Sequence, residues 1–282
     1  MIDFHQHIGY VGRSVRDLLA HQAAHGVQLS VALPIDGTGS PGEQYQTEAA
    51  LAAANAYPDR VIPFCHVDPR RPQVLAEIRR FAAAGARGFG EHKVRLPCDA
   101  PESLAIYRLC GELGLPVLPH FEYGRFNYNF EAFEHVLRAY PDTVFIGHAQ
   151  AWWANVSADV PRDTSAPDYT PYPKGPVVRT GLTDRWLALY PNLYGELSAG
   201  SGLGALTRDT EFAREFVNRH RKQLLWATDC PCLDGRGDLG GGRSRECFAA
   251  QSLPVLRLLA ADEDTFLDIT DRNARHVLRM GN

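Results

Sequence analysis

Eight short apolar runs rich in β-branched residues alternate with helical patterns along this 282-residue chain. This alternation constrains the fold more than any other feature of the sequence. The segments between the runs repeat apolar residues at three- and four-residue spacing, as in Phe133, Val136 and Leu137. Such alternation favours parallel βα units, and eight units predict one closed (β/α)8 TIM barrel in the α/β class, spanning residues 1–282. The predicted strands are residues 2–7, 28–34, 61–67, 87–93, 116–122, 143–149, 192–198 and 224–230.

Two long segments with little periodicity follow the sixth and eighth predicted strands. Residues 150–181 contain five prolines, and residues 231–244 are rich in glycine. Both are predicted to be loops at the C-terminal ends of strands, where barrel enzymes place their active sites. Residues from about 262 to 278 are predicted to form a last helix that covers the barrel.

The charge pattern excludes several classes of partner. The formal net charge is −4, and the two signs are interspersed, so the sequence predicts binding to neither nucleic acid nor a membrane surface. The N-terminus lacks the basic start of a signal peptide, and no apolar run approaches the ~20 residues that span a bilayer. We therefore expect a cytoplasmic protein that acts on a small molecule. A homodimer is the default assembly, because dimers are the commonest soluble oligomers.

The six cysteines lack the density and spacing of a disulfide scaffold, so reduced thiols are expected. Cys230 and Cys232 flank Pro231 in a Cys-x-Cys pair that could bind a soft metal. Buried free thiols are commoner than such sites, so these two cysteines are left out of the predicted active site.

Polar residues collect where the predicted strands end. His5 and His7 close the first strand and point to the same side, because side chains two apart on a strand share a face. His120, His148 and Asp229 close the fifth, sixth and eighth strands. A single histidine at a strand end is usually a core or solvated residue. The joint pattern at the same end of four strands predicts a metal site, because imidazoles and carboxylates are common zinc ligands.

These residues resemble the metal motifs of the amidohydrolase superfamily, whose members are metal-dependent enzymes on a (β/α)8 barrel. Residues 56–64 are also similar to the branch that includes aminocarboxymuconate-semialdehyde decarboxylase. The resemblance spans nearly the whole chain, and its carrying segments are Asp3-Phe-His5-Gln-His7, Pro116-Val-Leu-Pro-His120, Ile146-Gly-His148 and Thr228-Asp229-Cys-Pro231.

The resemblance implies a metal bound by His5, His7, His120 and Asp229. Zinc is the expected ion, in one or two copies, and Mn²⁺ is the alternative. His148 would bind a second metal or act on the substrate beside a single one. Such an ion lowers the pKa of a bound water toward 7, and Asp229 would take the proton of that water and deliver it to the leaving group.

The fourth predicted strand, which ends in Glu91, His92 and Lys93, leaves the metal count open. Strand alternation places Glu91 and Lys93 on one face and His92 on the other. If Phe89 faces the helices, Glu91 and Lys93 do also and His92 faces the barrel; if Phe89 faces inward, Glu91 and Lys93 are the site residues, and alternation does not choose between the two. Several hydrolytic members of the superfamily bridge two metals with a glutamate or a carboxylated lysine of this strand. Glu91 is the first candidate for a bridge and Lys93 the second. In the alternative, Glu91 and Lys93 form an ion pair that orients the histidines.

Residues in the loops after strands five and six are candidates for the substrate pocket. Arg125 could hold a carboxylate, and Trp152 and Tyr123 could form an aromatic wall. The alternative is that the arginine is solvated and the tryptophan anchors a long loop. His66, near the end of the third strand, is expected close to the site without an assigned role.

The leading functional hypothesis is a metal-dependent hydrolase of a small carbonyl substrate, such as a lactone, ester, amide or imide, that uses a metal-activated water. The second is a zinc-dependent lyase, a decarboxylase or hydratase of an unsaturated or aromatic carboxylic acid. A third hypothesis, a non-catalytic barrel with a structural metal, is disfavoured because structural zinc sites are usually closed and rich in cysteine.

Overall fold

The strands of the computed structural model are short and lie within the predicted ranges. The structure describes residues 1–38 and 44–281. Within these residues the strands are β1 (Ile2–Gln6), β2 (Leu29–Ala32), β3 (Val61–Pro63), β4 (Phe89–His92), β5 (Val117–Pro119), β6 (Phe145–Gly147), β7 (Leu193–Glu196) and β8 (Leu224–Leu225). The predicted eighth strand is therefore regular only in its first two residues.

Within each of two sheets, the neighbouring strands pair in parallel and follow the chain order. Strands β1 to β3 form one sheet, and strands β4 to β8 form a second sheet. A few backbone hydrogen bonds still span the two interruptions: Gly90 donates to the carbonyl of Cys65 (2.9 Å) on one side, and Phe4 donates to that of Trp226 (3.2 Å) on the other. The arrangement is that of a (β/α)8 barrel in which the regular strand pairing does not close.

Helices connect the strands and pack around them. Helix α1 begins at a capping box formed by Ser14 and Asp17 and ends at Gly26, whose φ of 65° is easily reached by a residue without a Cβ. Helix α3 buries the regularly spaced Val74, Ile78 and Phe81. The α-helices are α1 (Val15–His25), α2 (Thr47–Ala56), α3 (Val74–Ala83), α4 (Pro101–Leu113), α5 (Phe133–Ala139), α6 (Gln150–Ala154), α7 (Leu182–Leu189), α8 (Ala199–Thr207), α9 (Thr210–Arg219), α10 (Phe248–Leu259), α11 (Glu263–Leu267) and α12 (Asn273–Val277).

The long segment after β6 differs from the prediction. Its first five residues form helix α6, and only residues 155–181 are irregular. The loop predicted at residues 231–244 is irregular, and the irregular stretch is longer than predicted, running from the end of β8 to Cys247.

The end of the chain closes one end of the barrel. Helix α11, a π-helical stretch (Asp268–Arg272) and α12 run on from one another. Asn273 Nδ2 donates to the carbonyl of Leu224 at 2.8 Å, and Ala274 packs in a cluster with Ile2 and Phe4. These contacts cover the ends at which β1 and β8 begin. The opposite ends, where the polar residues lie, remain open to a cavity.

Among the described residues, no helix combines the length and the apolar character needed to cross a membrane.

Candidate active site

The ends of β1 and β8 bring three potential metal ligands together. Nε2 of His5 lies 3.1 Å from Nε2 of His7. Oδ1 of Asp229 lies 3.4 Å from Nε2 of His7 and 3.8 Å from Nε2 of His5. These three atoms surround a point that one cation could occupy.

Glu91 lies at the centre of the site and reaches two groups of histidines. Its Oε2 is 3.3 Å from Nε2 of His7 and 3.7 Å from Nε2 of His5. Its Oε1 contacts Nδ1 of His120 and lies 3.3 Å from Nε2 of His148. The two oxygens of this carboxylate therefore face different pairs of imidazoles, which is the placement that a bridging ligand requires.

A break in the regularity of β4 brings Glu91 inward. The pairing register with β5 shifts between Phe89 and His92. Phe89 packs in the core with Ile78 of α3, yet Glu91 faces the barrel. Strict alternation, which puts Glu91 on the same side as Phe89 and His92 on the other, is therefore wrong at this strand. Gly90 permits the close approach to β5, because a Cβ there would lie 2.9 Å from that of Leu118.

His92 and His66 lie outside the site, contrary to the expectation for His66. Nε2 of His66 is 3.0 Å from Nδ1 of His92, and Nε2 of His92 is 3.2 Å from the hydroxyl of Ser103 on α4. Burial lowers the pKa of His66 to about 4, so this imidazole is neutral at pH 7. The pair is a polar contact between the strands and the helices.

Hydrogen bonds at Nδ1 orient the rings of His5 and His7 so that both Nε2 atoms face the site. Nδ1 of His7 donates to the carbonyl of Leu33 at 2.8 Å, and Nδ1 of His5 donates to Glu196 at 3.3 Å. The two Nε2 atoms lie 3.1 Å apart, with Oδ1 of Asp229 and Oε2 of Glu91 beside them. Ring nitrogens and carboxylate oxygens are common metal ligands, so the residues present fit a bound metal ion.

Glu196 at the end of β7 is a site residue that sequence reasoning missed. Its buried carboxylate accepts hydrogen bonds from Nδ1 of both His5 and His148, and from the backbone (3.0 Å) and hydroxyl (2.9 Å) of Ser198. Burial acts to raise the pKa of Glu196, but His148 and His5 together lower it to about 2. The carboxylate is therefore ionised and fixes two ring orientations. Glu196 lies at the end of its strand, as the other site residues do, and this position was the feature of the sequence that could have identified it.

A cavity of about 860 Å³ opens above these residues. Its floor includes His7, Glu91, His120 and Asp229. Its wall carries both cationic and aromatic side chains: Lys93, Lys174, Arg208, Arg245, Tyr10, Tyr45, Trp153, Tyr172 and Phe248. Lys93 thus borders the cavity, with Nζ 5.3 Å from the centre of the Phe126 ring.

The residues expected to contact substrate are placed elsewhere, and none of the three is among the described residues that line the cavity. Trp152 is 0 % exposed and packs in the core. Its neighbour on helix α6, Trp153, borders the cavity instead. The hydroxyl of Tyr123 accepts a hydrogen bond from Asn155 Nδ2 at 2.7 Å. Arg125 is exposed and pairs with Glu122 at 3.3 Å. The structure therefore does not bring Trp152, Tyr123 and Arg125 to the cavity.

Comparison with known structures finds the same architecture in several proteins. An uncharacterised TIM-barrel protein from Bordetella bronchiseptica superposes with a TM-score of 0.69 at 16% identity, over 99% of this chain and 98% of that one. A probable 2-pyrone-4,6-dicarboxylic acid hydrolase from Acinetobacter baumannii gives 0.63 at 15% identity, with the same coverage. A dihydroxybenzoic acid decarboxylase from Polaromonas, with bound manganese and an inhibitor, gives 0.58 at 12% identity, over 100% of this chain and 97% of that one. At these identities the likeness concerns the fold.

The sequence matches none of the curated proteins with which it was compared. The family model described as amidohydrolase matches residues 2–280, which is nearly the whole chain. The match agrees with the strand order and with the histidines and carboxylates at the strand ends. This chain belongs to the amidohydrolase family.

Proposed function

We propose that this protein is a hydrolase of a small carbonyl compound and that Glu91 bridges two metal ions in its active site. The observation that carries the proposal is the central position of the Glu91 carboxylate. One oxygen faces His5 and His7, and the other faces His120 and His148. In this assignment Asp229 completes the first group of ligands. Zinc is the first candidate for both ions and manganese the second, since imidazole and carboxylate ligands suit both.

The side chains around the proposed metal ions have distinct roles in this proposal. Bound metal ions would supply a Lewis acid for the carbonyl oxygen and would lower the pKa of water toward neutrality. Asp229 has a side chain that is 29% exposed at the cavity floor, so it can accept a proton from the attacking water and return it to the leaving group. Glu196 holds the rings of His5 and His148 in place.

The lining of the cavity favours a substrate that carries a carboxylate. Four cationic side chains border it, and Arg208 Nη1 has no hydrogen-bond partner among the described residues. The aromatic side chains suit a flat ring. We propose a carboxylated lactone as the substrate class; the similar fold of the probable pyrone-dicarboxylic acid hydrolase supports this choice, because a pyrone is a cyclic ester.

A decarboxylase is the second candidate, since the similar structures include a dihydroxybenzoic acid decarboxylase with bound manganese. The cationic lining would suit its substrates as well. We place it second because the two oxygens of the Glu91 carboxylate face different pairs of imidazoles, which supports a bridging role.

The test is a panel of carboxylated lactones, esters and amides beside hydroxylated aromatic carboxylic acids, assayed by proton NMR with metal-loaded and chelator-treated enzyme. We expect ring opening or ester cleavage by the metal-loaded enzyme alone. Decarboxylation of the aromatic acids without any hydrolysis would overturn the proposal in favour of the lyase. Hydrolysis that persists at full rate after complete metal removal would overturn the metal dependence.

A further inference from the structure

Three cysteines and a histidine, distant in sequence, meet behind the active site. Cys230 and Cys232 follow β8, Cys247 directly precedes α10, and His21 lies on α1. All four are at most 4% exposed. Sγ of Cys230 lies 3.0 Å from Sγ of Cys232 and 3.5 Å from Sγ of Cys247. Nε2 of His21 lies 3.4 Å from Sγ of Cys247, and the four ligand atoms form one compact group.

These separations are close to those of a tetrahedral zinc site. With Zn–S bonds of about 2.3 Å and Zn–N bonds of about 2.0 Å, the edges of the tetrahedron are about 3.8 Å between sulfurs and about 3.5 Å between sulfur and nitrogen. A Cys230–Cys232 disulfide would require a much shorter separation, about 2.05 Å. Three sulfurs and one imidazole form a closed Cys₃His set of the kind found in structural zinc sites.

His21 is the available histidine of the two nearby. Nε2 of His25 also lies 3.4 Å from Sγ of Cys247, but it donates a hydrogen bond to the carbonyl of Gly235 at 2.7 Å. That nitrogen therefore carries a proton. His21 makes no such bond, and its Nδ1 is buried without a hydrogen-bond partner among the described residues. An imidazole that is 0% exposed and otherwise unused points into the thiol group.

Arg13 provides charge balance for such a site. It is 2% exposed and donates from Nη1 to the carbonyl of Cys230 at 2.9 Å, while its Nε and Nη2 have no hydrogen-bond partner among the described residues. A buried cation is stable only near negative charge. Three thiolates and a divalent cation together carry one negative charge, which compensates the guanidinium.

We propose that Cys230, Cys232, Cys247 and His21 bind a structural zinc ion that is separate from the active site. The ion ties the irregular segment 231–247 to α1. Segment 231–247 and helix α1 are in close contact at Gly235, where an added Cβ would lie 2.6 Å from that of Ala24. Asp229 directly precedes Cys230, so the same ion fixes the start of the segment that carries this active-site carboxylate.

Cobalt substitution tests the proposal without any variant. Chelated protein, kept reduced, is titrated with Co²⁺ and followed by absorption spectroscopy. We expect intense sulfur-to-cobalt charge-transfer bands in the near ultraviolet, together with the visible bands of tetrahedral cobalt. The active-site ligands contain no sulfur, so they cannot produce the first signal. Saturation with Co²⁺ without any charge-transfer band, with all six thiols free, overturns the proposal. So does a Cys230–Cys232 disulfide in protein purified under reducing conditions.

Variants separate this site from the proposed active site. A double variant, His5→Ala with His7→Ala, should keep the charge-transfer bands. Cys247→Ser in that background should lose the bands and bind one zinc fewer per chain than the double variant does. The matched control is Cys98→Ser, which changes a buried thiol that donates to the carbonyl of Asn129, far from the cluster in sequence. Unchanged bands in the Cys247→Ser variant would contradict the ligand assignment. These readouts stand even if the protein proves to be a lyase.

Discussion

Nε2 of His5 lies 3.1 Å from Nε2 of His7, and in both rings the other nitrogen is committed as a hydrogen-bond donor. The two Nε2 atoms converge on one point, where a metal cation is a chemically suitable occupant. Everything proposed for the reaction depends on this convergence and on Glu91 beside it.

His5→Ala should empty the first metal position. The variant loses one of three ligands and the contact to Glu196, so its affinity for zinc should fall by more than the ~10–100-fold typical for the loss of an outer hydrogen-bond partner. Metal analysis after dialysis checks this, with His135→Ala at an exposed position as the control. Full retention of active-site zinc would show that β1 does not supply the ligands.

Asp229→Asn should separate catalysis from metal binding. The amide keeps the shape of the side chain and one oxygen donor, but it cannot accept a proton. Turnover should fall about 10²- to 10⁴-fold while most of the metal remains bound. Steady-state kinetics and metal content are measured in parallel, with the exposed Asp59→Asn as control. A nearly normal turnover number would refute the proton-transfer role.

Glu196→Gln should weaken metal binding although Glu196 is not itself a proposed ligand. The charge that orients Nδ1 of His5 and of His148 is lost, so zinc affinity should fall about 10–100-fold. Competition with a chromophoric chelator measures the change, and Glu112→Gln at the surface serves as control. Unaltered affinity would mean that the ring orientations do not depend on this carboxylate.

His66 should make the stability of the metal-free protein pH-dependent. Its folded pKa, about 4, lies below the ordinary value of 6.5, so the unfolded chain binds more protons between these values. The stability gained by keeping His66 neutral is complete above about pH 6.5 and is lost as the pH falls to about 4, by up to about 3 kcal/mol.

Urea unfolding of chelated wild type and His66→Gln across this range measures that contribution. The difference in the free energy of unfolding should shrink toward pH 4, while His135→Gln should show no such trend. A difference that is constant with pH would contradict the neutral, buried state of His66.

The strand order could be predicted from the sequence, because short apolar runs are local patterns. The runs end in His5, His7, His120, His148 and Asp229, and their shared place at the strand ends predicted that these side chains would meet. The position of Glu91 could not be predicted. It depends on a register shift in β4, which alternation does not encode.

Other features depend on contacts that sequence patterns do not show. Trp153, rather than Trp152, borders the cavity because both lie on the short helix α6, and this segment was predicted to be a loop. The meeting of His21 with Cys247 joins residues 226 positions apart. Glu196 lay in a predicted strand, but the carboxylate carried no motif that distinguished it from a solvated residue.

A crystal structure of the zinc-loaded protein, with anomalous data collected at the zinc absorption edge, tests the central claim most directly. We expect two anomalous peaks flanking the Glu91 carboxylate, one held by His5, His7 and Asp229 and the other by His120 and His148, in addition to the peak expected at the cysteine cluster. A single peak in the active site of an active preparation, with Glu91 coordinated to no metal, would contradict the bridge and favour the lyase.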